Sequence, residues 1–141
     1  MKFDVGDPRL ASLLDDPSPA TLTLYRENGE AITSPVWFRV AGDSFEMIVA
    51  ASDPKLTHLR RDPRCLLLIF EAIPPFRGAM VRGLASLEPD EGSEVRLAIA
   101  SRYLGPPRGR AYADVERRLP GVTVRLPVAA ARAWDLADKL P

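Results

Sequence analysis

The first half of the chain alternates apolar and polar positions with the period of extended structure. In ATLTLYRENGEAITSPVWFRV, residues 20–40, Leu22 and Leu24 alternate with Thr21, Thr23 and Tyr25, as in a half-buried strand. Asn28-Gly29 then suits a tight turn with positive φ, which predicts a hairpin. AGDS, residues 41–44, makes the next turn, and FEMIVA, residues 45–50, is a third strand. CLLLIF, residues 65–70, is continuously apolar and reads as a central strand buried on both faces. AMVRGLASLEP, residues 79–89, reads as a further strand interrupted at Gly83.

Helical spacing appears at three places. Asp7-Pro8 followed by Leu10, Leu13 and Leu14 predicts a short N-terminal helix capped by Asp7. Ser52 or Asp53 caps a second helix with Pro54 in its first turn and Leu56 and Leu59 pointing inward; Asp62-Pro63 stops it. From Asp90 the period lengthens, with Val95, Ala98, Ile99 and Tyr103 on one helix face and Gly105-Pro106-Pro107 as its end. Another helix runs from about Gly109 to Arg118, after which VTVRL and RAWDL read as a closing hairpin around Pro127. Many short strands joined by tight turns predict a mainly β fold, a small barrel with peripheral helices. Residues 1–141 are read as one domain with a helical insert near 90–118.

Charge narrows the partners. Nineteen basic residues balance nineteen acidic ones, so the chain lacks the excess positive charge of a nucleic-acid binder. The sole cysteine, Cys65, cannot form an internal disulfide, and no cysteine–histidine set exists for zinc. The N-terminal residues lack a signal peptide's apolar core and no stretch approaches a membrane span, so a cytoplasmic location is expected. The lone His58 reads as structural or solvated, Cys65 as a buried thiol, and Glu88, Asp90, Glu91 and Glu94 as acids complementing a helix N-terminus rather than a metal site. No nucleophile–base set is present, and no catalytic residue is assigned. Lys55 stands out in the first turn of a helix that follows a strand end, where free N–H groups and a cation can hold a phosphate.

SPVWFRVAGDSFEMIVAASDPKLTHLRRDPRCLLLIF followed by AMVRGLASLEP resembles the pyridoxamine 5'-phosphate oxidase-like family, the FMN-binding split barrels or flavin/deazaflavin oxidoreductases, over about residues 20–89. The tail containing RYLGPPRGRAY, VTVRL and RAWDL resembles actinobacterial members. The resemblance implies a six-stranded split β-barrel that forms a homodimer with two cofactor sites at its interface. It implies that Pro35, Val36, Trp37 and Phe38 lie beside the ring system of FMN or of the deazaflavin coenzyme F-420. Of the two aromatics, Phe38 is assigned to the core and Trp37 to the pocket side, because neighbours in a strand face opposite ways. Val49, Ala50, Ala51, Ser52 and Lys55 match the phosphate-binding stretch, with Lys55 supplying charge and Ser52 a hydroxyl. Arg132 and Trp134 are expected to reach the partner protomer's site. Arg60, Arg61 and Arg64 fall beyond the phosphate turn and read as scaffold.

One departure bears on the cofactor. Relatives that hold a phosphate often carry Ser-Thr at the strand end, where this chain has Ile48-Val49-Ala50-Ala51. That difference tilts the expectation from FMN toward the deazaflavin, whose phosphodiester tail suits a wider basic groove. The expected function is hydride transfer to or from a small organic substrate, whose pocket would be lined by IPPFRG, residues 73–78, and the C-terminal hairpin. The alternative is a non-enzymatic carrier of flavin, haem or another planar ligand on the same scaffold, with His58 as the haem ligand to test.

Overall fold

The computed structural model describes residues 8–141, the side chain of Leu10 aside, so the expected cap at Asp7 lies outside the described residues. The strands are β1 (Ala20–Tyr25), β2 (Ala31–Val36), β3 (Arg39–Ala41), β4 (Ser44–Ala50), β5 (Arg64–Phe70), β6 (Gly78–Leu84), β7 (Ser86–Pro89), β8 (Gly121–Pro127) and β9 (Ala130–Trp134). The α-helices are α1 (Pro8–Asp15), α2 (Pro54–Arg61), α3 (Glu94–Leu104) and α4 (Pro106–Glu116). Two antiparallel sheets result, in the orders β2-β1-β5-β6-β9 and β3-β4-β8-β7.

Three chain segments pass from one sheet to the other. β2 bends into β3 at Trp37-Phe38, β6 into β7 at Ala85, and β8 into β9 at Val128-Ala129. Counting each bent pair as one strand leaves six, and each then has neighbours on both sides in a closed ring. The six-stranded split barrel is therefore the fold of this chain.

Local chemistry explains the bends. Gly83 stays within β6, and a Cβ there would sit 2.3 Å from the carbonyl oxygen of Pro127, so only glycine lets β6 and β8 approach so closely. The strand break expected at Gly83 falls instead at Ala85, whose N–H leaves the ladder to donate to Pro63 O. The expected closing hairpin also changes. β8 pairs with β4 and β7 while β9 pairs with β6, so Pro127 marks a corner between sheets rather than a hairpin turn.

The barrel interior is filled by Leu22, Leu24, Phe38, Phe45, Met47, Leu67, Ile69, Val81, Val124 and Leu126, all fully buried. β5 alternates rather than being buried on both faces: Cys65, Leu67 and Ile69 point inward, while Leu66, Leu68 and Phe70 are half-exposed outside. Helix α2 follows its sequence signals, with Asp53 accepting from Lys55 N, Pro54 in the first turn, and Leu56 and Leu59 buried. Gly105 ends α3, but Pro106-Pro107 begin α4 instead of merely closing α3, since proline's missing N–H is harmless in a first turn. In the basic run that ends α2 and enters β5, Arg61 and Arg64 make scaffold contacts. Arg61 donates to Tyr25 O at 2.8 Å, and Arg64 pairs with Asp62 at 2.7 Å.

Candidate functional site

A cavity of about 580 Å³ opens where β2 turns into β3, β4 runs out into α2, and the α3–α4 pair packs over both. Its size suits a small-molecule ligand. Pro35, Val36, Trp37, Val49, Ala50 and Lys55 all line it, so the fold gathers six of the eleven expected positions around one space. The other five lie elsewhere. Phe38 is fully buried and packs on Phe45, with ring centroids 5.7 Å apart, so it belongs to the core and not to the cavity. Ala51 and Ser52 are exposed in the turn after β4 and are not among the lining residues. Arg132 and Trp134 lie on β9, outside the cavity, with the Arg132 guanidinium 5.5 Å over the Trp134 ring. The 73–78 loop and the C-terminal strand also stay clear of the cavity within one chain; Leu136 N donates to Pro75 O instead.

The helical insert supplies an aromatic wall. Tyr103 of α3 stacks on Trp37 at 5.0 Å with planes 8° apart, and Tyr112 of α4 leans on the same indole at 5.5 Å. The Tyr103 hydroxyl donates to Ser18 O at 2.9 Å and accepts from Phe38 N at 3.3 Å, so it pins α3 to the barrel corner. Burial raises the pKa of this phenol, outweighing the Phe38 N–H and the nearby Arg102, so it is a neutral prop at ordinary pH. Arg102 reinforces the anchor by donating to Leu14 O and Asp16 O, both at 2.7 Å. Trp37 is thus held from the helical side while 37% of its surface stays exposed.

Charge reaches the cavity from the start of α2. Lys55 Nζ is 3.0 Å from Asp53 Oδ2, and Lys55 N donates to Asp53 Oδ1 at 2.9 Å. Burial raises the Asp53 pKa, but these bonds and the Lys55 charge outweigh it and leave the carboxyl lowered, hence ionised. The neighbouring amides are committed too: Ala51 N donates to Pro120 O, Asp53 N to Ala50 O and Leu56 N to Asp53 O. The turn expected to cradle a phosphate is largely satisfied by its own chain, with Asp53 holding Lys55.

Another cation was missed by sequence reading. Arg96 of α3 lines the cavity at 6% exposure. The buried face of α3 carries Arg96, Ile99 and Ala100, with Tyr103 one turn on, while Val95 and Ala98 are only half-buried. An arginine interrupting an apolar stripe at positions 96, 99, 100 and 103 was the available signal.

Among the described residues no histidine or cysteine lines the cavity. His58 does not line it, and Cys65 points into the barrel, where burial pushes its thiol up to about 12. Among the described residues no group of three or more His, Cys, Asp or Glu side chains is placed to hold a metal ion. Nor is any helix among them long and apolar enough to cross a membrane. An aromatic wall, apolar sides and two cations against one acid suit a planar, anionic small molecule.

The profile of the family described as pyridoxamine 5'-phosphate oxidase matches residues 7–135. The chain belongs to that family. No curated protein matches it. Among solved structures, a conserved hypothetical protein from Mycobacterium tuberculosis is 24% identical, with a TM-score of 0.80 over 99% of this chain and 91% of that one. An F-420 reductase is 23% identical, with a TM-score of 0.71 over 86% of this chain and 94% of that one. A heme storage protein from Vibrio cholerae is 13% identical, with a TM-score of 0.68 over 89% of this chain and 92% of that one. At these identities the likeness is one of fold.

Proposed function

We propose that this member of the pyridoxamine 5'-phosphate oxidase family binds FMN or the deazaflavin coenzyme F-420 in the cavity beside Trp37. Its activity is hydride transfer to or from a small organic substrate, and it acts as a homodimer. The observation that carries this reading is the convergence of the family's expected ring-side and strand-end residues, Pro35 to Trp37 with Val49, Ala50 and Lys55, on one cavity. A bound cofactor of this kind would supply the redox chemistry. The chain's own residues supply the setting. Trp37, braced by Tyr103, offers a flat wall; Val36, Ile48, Val49 and Ile99 exclude water; Lys55 and Arg96 add positive charge to the lining. The committed amides of the β4–α2 turn favour the deazaflavin, because a compact FMN phosphate needs the donors that this turn spends internally.

The dimer reading rests on the outer face of the five-stranded sheet. The register aligns Leu68 with Met80, and Leu66, Phe70 and the exposed Leu84 extend the same face. Arg132 and Trp134 border it on β9, where a second protomer would meet them. A carrier role on the same scaffold predicts binding without turnover, and His58 lies outside the cavity as a haem ligand would not.

Titration of the purified protein with FMN and with F-420, followed by visible absorbance and thermal unfolding, tests the proposal. Saturable binding of either at micromolar concentration, with a raised Tm, is the expected result. No shift with either ligand at concentrations well above micromolar would remove the redox reading. Sedimentation of wild type and Leu68→Asp tests the dimer; two monomeric species would overturn it.

A further inference from the structure

Two cations line the cavity, and only one of them is neutralised. Lys55 is paired with Asp53 at 3.0 Å. Arg96 is more deeply buried, at 6% exposure, and among the described residues no carboxylate lies within ion-pair distance of it. Its side chain makes a single protein hydrogen bond, from Nη1 to Glu116 O at 3.0 Å, the carbonyl of the last residue of α4. Its backbone N–H is held by Asp90 Oδ2 at 3.0 Å, and Val95 N by Asp90 Oδ1 at 3.1 Å, so Asp90 fixes the start of α3 without neutralising the guanidinium.

The guanidinium is also seated. Gly121, the first residue of β8, lies directly beneath it: a Cβ there would fall 2.8 Å from Arg96 Nη2 and 3.3 Å from both Arg96 Cζ and Ile48 Cγ2. The notch at Gly121 and the carbonyl of Glu116 therefore hold the arginine in place at the end of β4. Arginine offers five N–H donors in a fixed fork, and one protein acceptor leaves most of that capacity unspent. Burying a cation without a counter-ion is unfavourable, and such groups mark sites where an anion arrives.

We propose that Arg96, rather than Lys55, is the anion-receiving residue of this cavity, and that it takes a phosphate or carboxylate group of the bound ligand while the ligand's planar part lies along Trp37. The charge count of the lining agrees: Lys55 and Arg96 against Asp53 leave one net positive charge, located at Arg96. The proposal deepens the cofactor reading above and rests on it for the planar part alone. Gly121 is a positioning residue, acting through the guanidinium.

Binding of pyrophosphate, FMN, F-420 and riboflavin to wild type, Arg96→Met, Arg96→Lys, Lys55→Met and Gly121→Ala tests it. Pyrophosphate should raise the Tm of wild type and of Lys55→Met, and leave that of Arg96→Met unmoved. Arg96→Met should bind FMN or F-420 at least tenfold more weakly while binding riboflavin as wild type does. Arg96→Lys should recover part of the loss, and Gly121→Ala should weaken anion binding with the charge intact. If Arg96→Met keeps the flavin phosphate affinity but loses pyrophosphate stabilisation, the anion comes from the substrate rather than the cofactor, and the assignment of Arg96 stands. If wild type binds pyrophosphate through Arg96 but neither cofactor, the redox reading fails and Arg96 remains an anion receptor. Unchanged pyrophosphate and flavin binding in a folded Arg96→Met protein, or losses confined to Lys55→Met, would overturn the proposal.

Discussion

Glu46 and Arg96 are both buried charged residues, at 2% and 6% exposure, but one is saturated and the other is not. Glu46, on β4, receives Arg39 Nε at 2.8 Å on one oxygen and Arg125 Nε and Nη2 at 3.0 and 2.7 Å on the other. Arg125 also reaches Glu88 at 2.9 Å, so an alternating row of charge crosses β3, β4, β8 and β7. Burial raises the Glu46 pKa, but these bonds outweigh it and leave the carboxyl lowered. Arg96 has one carbonyl partner and a cavity in front of it. A buried charge whose partners are all within the chain braces the scaffold; one whose partners are lacking awaits a ligand.

The largest test of that contrast is Glu46→Ala. It should cost about 2 kcal/mol, less than the roughly 3–5 kcal/mol of a fully buried pair because the orphaned arginines are already a third exposed. Urea denaturation should show a lower midpoint at constant m, with ligand binding per folded molecule unchanged. Tyr103→Phe comes next. Losing the hydroxyl frees Phe38 N and Ser18 O and should cost about 1 kcal/mol. Fluorescence of Trp37 should shift as its brace loosens; an unmoved spectrum would mean that the stack holds without the hydrogen bonds.

Arg96→Met should behave in the opposite way to Glu46→Ala. Removing an unpaired charge should change stability by no more than about 0.5 kcal/mol, or raise it, while anion binding falls. A loss as large as that of Glu46→Ala would make the two charges alike and end the comparison. The smallest effect is expected in acid at the surface. Asp62 is lowered from 3.8 to about 2, first by the Arg64 hydrogen bond. A lowered folded pKa means that its contribution is full above about pH 4 and is lost as the pH falls toward 2. Asp62→Asn should flatten the stability–pH curve in that window, and an unchanged curve would count against the pairing.

Legibility divided along the range of the interactions involved. The β1–β2 hairpin at Asn28-Gly29, the α2 cap at Asp53 and the inward Leu56 and Leu59 follow from residues within a few positions of one another. The pattern stopped short where a feature depended on distant chain segments. β5 looked buried on both faces because Leu66, Leu68 and Phe70 are apolar, but among the described residues that side is only partly covered. RAWDL looked like the return arm of a hairpin, yet β9 pairs with β6, some fifty residues earlier, rather than with the adjacent β8. At the candidate site, Trp37 and Lys55 stood out by residue type, whereas Arg96 was hidden in a helix read only for its apolar face.

The sequence by itself determined the strand-rich order, the Asn28-Gly29 turn, the α2 cap and the family, because these rest on backbone preference and local spacing. Which cation is free was decided only in three dimensions. Lys55 is paired with a carboxylate two residues away, while Arg96 is carried by α3 to the end of β4, beside Gly121, where no acid among the described residues lies within ion-pair distance. Electrostatics depends on distance through space, and the fold alone sets that distance.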